Sequence, residues 1–211
     1  MDSYVAAAIH DAKNALNVLN TWLGEAKRDC PSSPALAQAQ EVAGRVSAQL
    51  VELLTLYRAE QGTLRLAIED HYIDELLADV MAELSPPPGA VPVQTDFSAA
   101  AGIGAWALDA YQVKFVLLDA LRNALRFAAG RVRFAVAAEP GGGVRFMIAD
   151  DGPGFPAEVL SGASHSMNDR SSGLGLSFAR LIAERHTTPG GARGRVELKN
   201  DGGAVFSLIL P

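Results

Sequence analysis

The sequence predicts an α+β protein: a helical hairpin that pairs into a dimeric four-helix bundle, followed by an α/β two-layer sandwich. Three observations carry this. Before residue 60, apolar residues recur at alternating spacings of four and three along a long stretch, the pattern of a bundle seam. Past Gln61-Gly62 the pattern changes, and short strand-like runs mix with helical ones, which calls for helices layered on a sheet. The chain closes on a β-hairpin signal: Arg195–Lys199, a turn over Asn200–Gly203, then Ala204–Leu210.

Taken in order, the first seam runs Val5, Ile9, Ala12, Leu16, Leu19, Leu23 and Ala26. His10 falls just off it and is expected to face solvent. Cys30-Pro31-Ser32-Ser33-Pro34 ends this helix, with Ser33 placed to cap the next. The second helix is expected to turn Val42, Val46, Leu50, Leu53 and Tyr57 toward a core. Two long helices joined by a short turn form an antiparallel hairpin. One hairpin cannot cover both apolar faces, so a second copy is expected against it.

Gly62 sets the domain boundary, giving domains over 1–61 and 62–211. Thr63–Ile68 alternates, and Asp70–Leu84 reads as an amphipathic helix with Ile73, Leu76, Leu77, Val80 and Leu84 on one side. Pro86-Pro87-Pro88-Gly89 is a loop. Val91–Phe97 and Gly102–Trp106 read as strands, Asp109–Ala128 as a long helix and Arg131–Ala138 as a strand. A turn over Glu139–Gly143 leads into a buried-looking strand, Val144–Ala149, and Ser172–His186 is a further helix. Between them, Phe155–Ser172 is polar and without a clear period, as a mobile lid would be.

The chain has 211 residues, 49% of them hydrophobic, enough for one large domain or two modest ones. A net charge of −6 argues against general nucleic-acid binding, which needs a basic surface. The single cysteine, Cys30, excludes an intramolecular disulfide and fits a reducing compartment. No apolar run reaches the roughly 18–20 residues that span a bilayer, and no basic flank precedes an apolar core at the N-terminus. The expectation is a cytoplasmic protein that engages neither nucleic acid nor membrane.

Four stretches carry chemistry. In Ile9-His10-Asp11-Ala12-Lys13-Asn14, His10 and Asn14 sit at i and i+4 on one helix face, with Asp11 beside the ring. A neutral imidazole is a competent nucleophile near pH 7. Asp11 can hold its tautomer and stabilise the cation formed on attack, and Asn14 can position a water. In Leu118–Phe127, Asp119, Asn123 and Arg126 form one polar edge: hard oxygen ligands that suit magnesium, and a guanidinium that clamps phosphate. Asp150 ends a buried strand, with Gly152 and Gly154 following, so a carboxylate can accept from an exocyclic amine while the glycines admit a base. Ser171-Ser172-Gly173-Leu174-Gly175 opens a helix, where exposed N–H groups and the helix dipole favour an anion.

In their order and spacing these stretches resemble the bacterial two-component sensor histidine kinases, and the C-terminal part resembles the Bergerat (GHKL) ATP-binding domain shared with gyrase, Hsp90 and MutL. The resemblance implies that His10 is the phospho-acceptor, with Asp11 and Asn14 assisting. It implies ATP and magnesium as cofactors, with Asn123 as metal ligand. Asp119, Arg126 and Phe127 would line the phosphate end, Asp150, Gly152 and Gly154 the adenine end, and Ser172, Gly173, Leu174 and Gly175 the second glycine box. It also implies a homodimer and a response-regulator receiver domain as partner; with only nine residues before His10, either a sensor or signalling partner acts in trans or the chain is a fragment of a longer protein. The departures are Asp119 where the family has a second asparagine, Ser171 for a leading glycine, Val205 for a threonine, and a short lid. A histidine phosphotransferase that relays phosphate without using ATP is the alternative.

Overall fold

The computed structural model describes residues 2–30, 32–84, 89–161 and 174–211, apart from the side chains of residues 2–7, 10 and 13. The chain divides into two compact units, Met1–Leu64 and Arg65–Pro211.

The first unit is a hairpin of α1 (Asp2–Asp29) and α2 (Pro34–Glu60). Pro34 occupies the first turn of α2, where its missing N–H has no partner to lose. Ser33 caps the helix, its hydroxyl accepting the Leu36 N–H at 3.4 Å. Asn20 Nδ2 donates across to Ser47 Oγ at 3.4 Å, which fixes the register of the two helices. The seam buries Ile9 on α1 and Ala43 and Leu54 on α2. Val42, Val46 and Leu53, expected to face a core, are exposed, and so are Val18, Leu19 and Trp22. Two helices touch along a single line, so a stripe this wide keeps its flanks uncovered within one chain.

The second unit opens with β1 (Glu69–Tyr72), α3 (Ile73–Glu83), β2 (Val93–Asp96), α4 (Ala100–Ile103) and β3 (Ala105–Leu108). It continues with α5 (Ala110–Phe127), β4 (Val132–Ala138), β5 (Val144–Asp150), α6 (Ala157–Leu160), α7 (Leu174–Arg185), β6 (Arg195–Asn200) and β7 (Ala204–Leu210). Five strands form one sheet in the order β2-β4-β5-β7-β6, parallel only at β2–β4, and β1 pairs with β3 in a separate antiparallel ribbon. Alternation along the strands turns Val132, Phe134 and Val136, Val144, Phe146 and Ile148, and Leu208 and Leu210 to one face. There they meet Ile73, Leu77 and Val80 of α3, Val113, Leu117 and Leu121 of α5, and Phe178 and Ile182 of α7 in one core. Edge-to-face rings, Phe97 with Phe134 and Phe115 with Phe178, tie helices and loops to it at centroid distances of 5.1 and 5.2 Å.

Three expectations are corrected here. The front of the helix expected over Asp70–Leu84 is strand β1, because His71 and Tyr72 pair with Trp106 and Ala105. The strand expected over Gly102–Trp106 is split by α4, and β3 runs only from Ala105. The first part of the lid carries a short helix, α6. The loop at 86–88 and the lid over 162–172 lie outside the described residues.

β5 is the central strand, so the residue at its C-terminal end, Asp150, stands at the middle of one edge of the sandwich. Its other end carries the Glu139–Gly143 turn, a strand length of about 20 Å away. A shallow groove of about 520 Å³ opens at that far end, lined by Trp106, Gly141–Gly143, Thr188 and Pro211. None of the site residues expected from the sequence lines it.

Candidate functional site

Helix α5 supplies one wall. Asp109 caps its start, with Oδ1 accepting the Gln112 N–H at 3.0 Å. Val113, Val116, Leu117, Leu121 and Ala124 bury one face, which leaves Asp119, Asn123 and Arg126 along a polar edge. Asn123 Nδ2 donates to Asp119 Oδ2 at 3.1 Å. A carboxylate only accepts, so this bond sets the amide nitrogen toward Asp119 and turns Asn123 Oδ1 away from it. Burial raises the Asp119 carboxyl above the ordinary aspartate value, against the opposing pull of Arg122 and of the Asn123 hydrogen bond. Arg126 is exposed, its guanidinium 5.4 Å from the ring centroid of exposed Phe127.

The end of β5 supplies the floor. Asp150 Oδ1 accepts the Gly152 N–H at 2.8 Å and, more weakly, the Ala204 N–H at 3.4 Å. Among the described residues nothing donates to Oδ2. The glycines are required by crowding: a Cβ on Gly152 would lie 2.3 Å from the Phe127 carbonyl oxygen. Gly154 has φ +82°, and its Cβ would meet the Asn200 amide at 2.8 Å. Asn200 holds Phe155 by two bonds, accepting its N–H at 2.8 Å and donating to its carbonyl at 3.0 Å. Val205 is buried in β7 opposite Ala149.

Helix α7 supplies the third side. His186, just past its end, is buried; its Nε2 accepts the Asp109 N–H at 3.0 Å, which leaves Nδ1 to donate to the Ile182 carbonyl at 2.7 Å. Burial lowers its pKa, so the ring is held neutral, although the Ile182 bond and Asp109 pull the other way. This contact joins the end of α7 to the start of α5, and the Phe115–Phe178 pair sets the two helices antiparallel. The 12 residues of α7 then climb about 18 Å at roughly 1.5 Å per residue. That brings Leu174 and Gly175 level with the Asp119–Asn123 turn of α5. Ser172 and Gly173, with Ser171, lie outside the described residues.

In the first unit His10 lies on the backbone of α1, its side chain outside the described set, while Asp11 and Asn14 are exposed on the same helix. Asp119, Asn123, Arg126, Phe127, Asp150, Gly152, Gly154, Leu174 and Gly175 thus come from one unit, and His10, Asp11 and Asn14 from the other.

Sequence reasoning missed four residues. Asp151, Asn200 and His186 hold the frame, and Asp109 caps it. Only Asp109 carries a local signal, an acid directly before an amphipathic run; the other three act through partners 20 or more positions away.

The donor set fits a magnesium nucleotide. Asp150 offers an unengaged oxygen beside two side-chain-free positions, and Asn123 and Asp119 offer oxygens next to a guanidinium. Magnesium takes one or two protein oxygens and completes its shell from phosphates and water. No group of three or more His, Cys, Asp or Glu side chains placed to hold a metal ion occurs among the described residues.

Residues 108–211 match the family model of histidine kinase-, DNA gyrase B- and HSP90-like ATPases. The match lies within the C-terminal unit and takes in α5, β4, β5, α7, β6 and β7. Two curated relatives extend the likeness toward the N-terminus. Sensor protein KdpD of Rathayibacter rathayi is 26% identical over 193 residues, covering 89% of this chain and 21% of its own. Sensor histidine kinase ZraS of Escherichia coli is 26% identical over 218 residues, covering 98% of this chain and 44% of its own. The chain therefore spans between a fifth and a half of the length of these sensor kinases. Among solved structures, full-length ShkA in complex with AMPPNP superposes with a TM-score of 0.68 at 23% identity, covering all of this chain and 46% of that one. Histidine kinase AdeS of Acinetobacter baumannii gives 0.61 at 18% identity, covering 93% and 95%. The chain is thus a relative of two-component sensor histidine kinases with a GHKL-type ATP-binding domain. No described helix is long and apolar enough to cross a membrane.

Proposed function

We propose that this chain is an ATP-dependent histidine kinase, which phosphorylates itself on His10 and passes the phosphoryl group to an aspartate of a response-regulator receiver domain. The observation that carries the reading is the unengaged Asp150 oxygen beside Gly152 and Gly154, on the central strand of an ATPase-family sheet.

Asp150 accepts a hydrogen bond from the exocyclic amine of adenine, and the two glycines let the base lie against the backbone. The N-terminal end of α7, at Leu174 and Gly175, presents the helix dipole to the phosphates. Arg126 pairs with a phosphate, and Phe127 borders the same end. Asn123 would hold magnesium, with Asp119 beside it. When bound, magnesium offsets charge on the phosphate oxygens. A His10 ring nitrogen attacks the terminal phosphorus in line, forming the N–P bond as the bond to the β-phosphate oxygen breaks and ADP leaves. Asp11 accepts from the other ring nitrogen and stabilises the imidazolium. Asn14 positions water for the hydrolysis of the phosphorylated regulator.

The exposed ridge of Val18, Leu19, Trp22, Val42, Val46 and Leu53 supports assembly with a second copy into a four-helix bundle. The reading places the active protein in the cytoplasm. The test is labelling with ATP that carries radioactive γ-phosphate: wild type gains label and His10→Ala gains none, whereas equal labelling of both ends the proposal. In a coupled assay, Asn14→Ala is expected to keep autophosphorylation and to slow dephosphorylation of the regulator several-fold.

A further inference from the structure

The end of α5 is seated on the end of β5 by a single carboxylate. Helix α5 stops at Phe127, with the Ala128 N–H returning to the Ala124 carbonyl at 2.8 Å. The next three backbone N–H groups, of Ala129, Gly130 and Arg131, all donate to Asp151 Oδ1, each at 2.9 Å. The Asp151 N–H returns to the Arg131 carbonyl at 3.2 Å. Immediately beyond, Gly152 lies so close under the Phe127 carbonyl that no side chain fits between them. Asp151 has no such grip on the nucleotide side: the carboxylate next to it, Asp150, is the one with an oxygen to spare.

We infer that Asp151 is a positioning residue for nucleotide binding: by gathering three N–H groups of the α5–β4 connection it fixes the helix edge of Asp119, Asn123 and Arg126 relative to Asp150. A nucleotide bridges these two ends, one at the base and one at the phosphates. Its affinity gains from the second contact only if their separation is already set, because otherwise ordering the helix end opposes binding. Three bonds to one charged acceptor supply that order, since charge-assisted bonds are roughly twice as strong as neutral ones. The same bonds, led by those from Gly130 and Arg131, hold the Asp151 carboxyl below the ordinary aspartate value, so the acceptor stays ionised at neutral pH.

This inference rests on the adenine-nucleotide reading, and the experiment separates the two. Binding of adenosine and of a non-hydrolysable ATP analogue with magnesium is measured on the full chain by competition calorimetry, for wild type, Asp151→Ala and Asp151→Asn. In wild type the analogue binds more tightly than adenosine. In Asp151→Ala that advantage falls about ten-fold, while adenosine binding changes less than about two-fold. Asp151→Asn keeps an acceptor oxygen and regains most of the advantage. Should Asp151→Ala not fold, Asp151→Ser, whose hydroxyl falls short of the three N–H groups, replaces it with the same expectation. Equal loss of both ligands, or no loss of either, overturns the positioning role and leaves the nucleotide reading standing. Absence of binding in wild type overturns both.

Discussion

At the scale of single residues, the geometry assigns opposite pH behaviour to two titrating groups. His186 is neutral in the fold and has a lowered pKa from burial. Unfolded chain therefore binds the proton first, and the stability this residue contributes is complete above about pH 6.5 and is lost as pH falls through the folded value. His186→Gln keeps a neutral acceptor for the Asp109 N–H, so its urea midpoint is expected to fall less than that of wild type between pH 7.5 and 5.5. Asp119 works the other way. Its raised pKa means that folding favours its protonated form, so it opposes stability once pH rises through the folded value. Asp119→Asn is expected to stabilise the protein by on the order of 1 kcal/mol at pH 7.5, read as a higher melting temperature. A lower melting temperature would show that the Asn123 bond to the carboxylate outweighs its desolvation. Gly152→Ala, with its Cβ driven into the Phe127 carbonyl, is expected to cost about 1–3 kcal/mol and to abolish nucleotide binding in a titration.

At the scale of elements, what could be read from the sequence follows from how local each signal is. Helix α5 is legible nearly to its ends because apolar residues repeat at helical spacing between Asp109 and Ala128. The β6–β7 hairpin was legible from Asn200–Gly203, which only a turn accommodates. The ribbon of β1 and β3 was not, since four-residue strands are defined by each other across more than thirty positions and leave no period of their own. In the site, Asp150, Gly152 and Gly154 form a compact motif that spacing alone singles out. Asp151 sits inside that motif but does its work at residues 129–131, so sequence spacing gave no hint of it. The hairpin shows the same limit. Its heptads indicate which residues are apolar but not what covers them, and Val18, Leu19, Trp22, Val42, Val46 and Leu53 are exposed in the single chain. For the dimer proposed above, Leu53→Glu is expected to give a monomer in light scattering coupled to size exclusion, with the second unit still folded.

At the scale of the whole molecule, division into a helical hairpin and a sheet unit, with the function proposed above, predicts separable activities. The second unit has its own continuous core across the sheet and α3, α5 and α7. A fragment of residues 65–211 is expected to unfold cooperatively and to bind nucleotide as the full chain does, and a fragment of residues 1–64 to accept label from it in trans. A fragment 65–211 that melts without a transition in calorimetry would show that the core needs the hairpin.

The two tryptophans fall one to each unit. Trp22 stands 64% exposed on the hairpin, and Trp106 donates its indole N–H to the Pro211 carbonyl at 3.0 Å within the sheet unit. The chain thus carries two intrinsic fluorophores that respond to different events. In the assembly proposed above, iodide quenching of the hairpin indole should drop as copies associate, while the sheltered one keeps its emission until the sandwich itself melts. With Trp22→Phe and Trp106→Phe variants, assembly and unfolding can each be followed by its own light signal without any added dye.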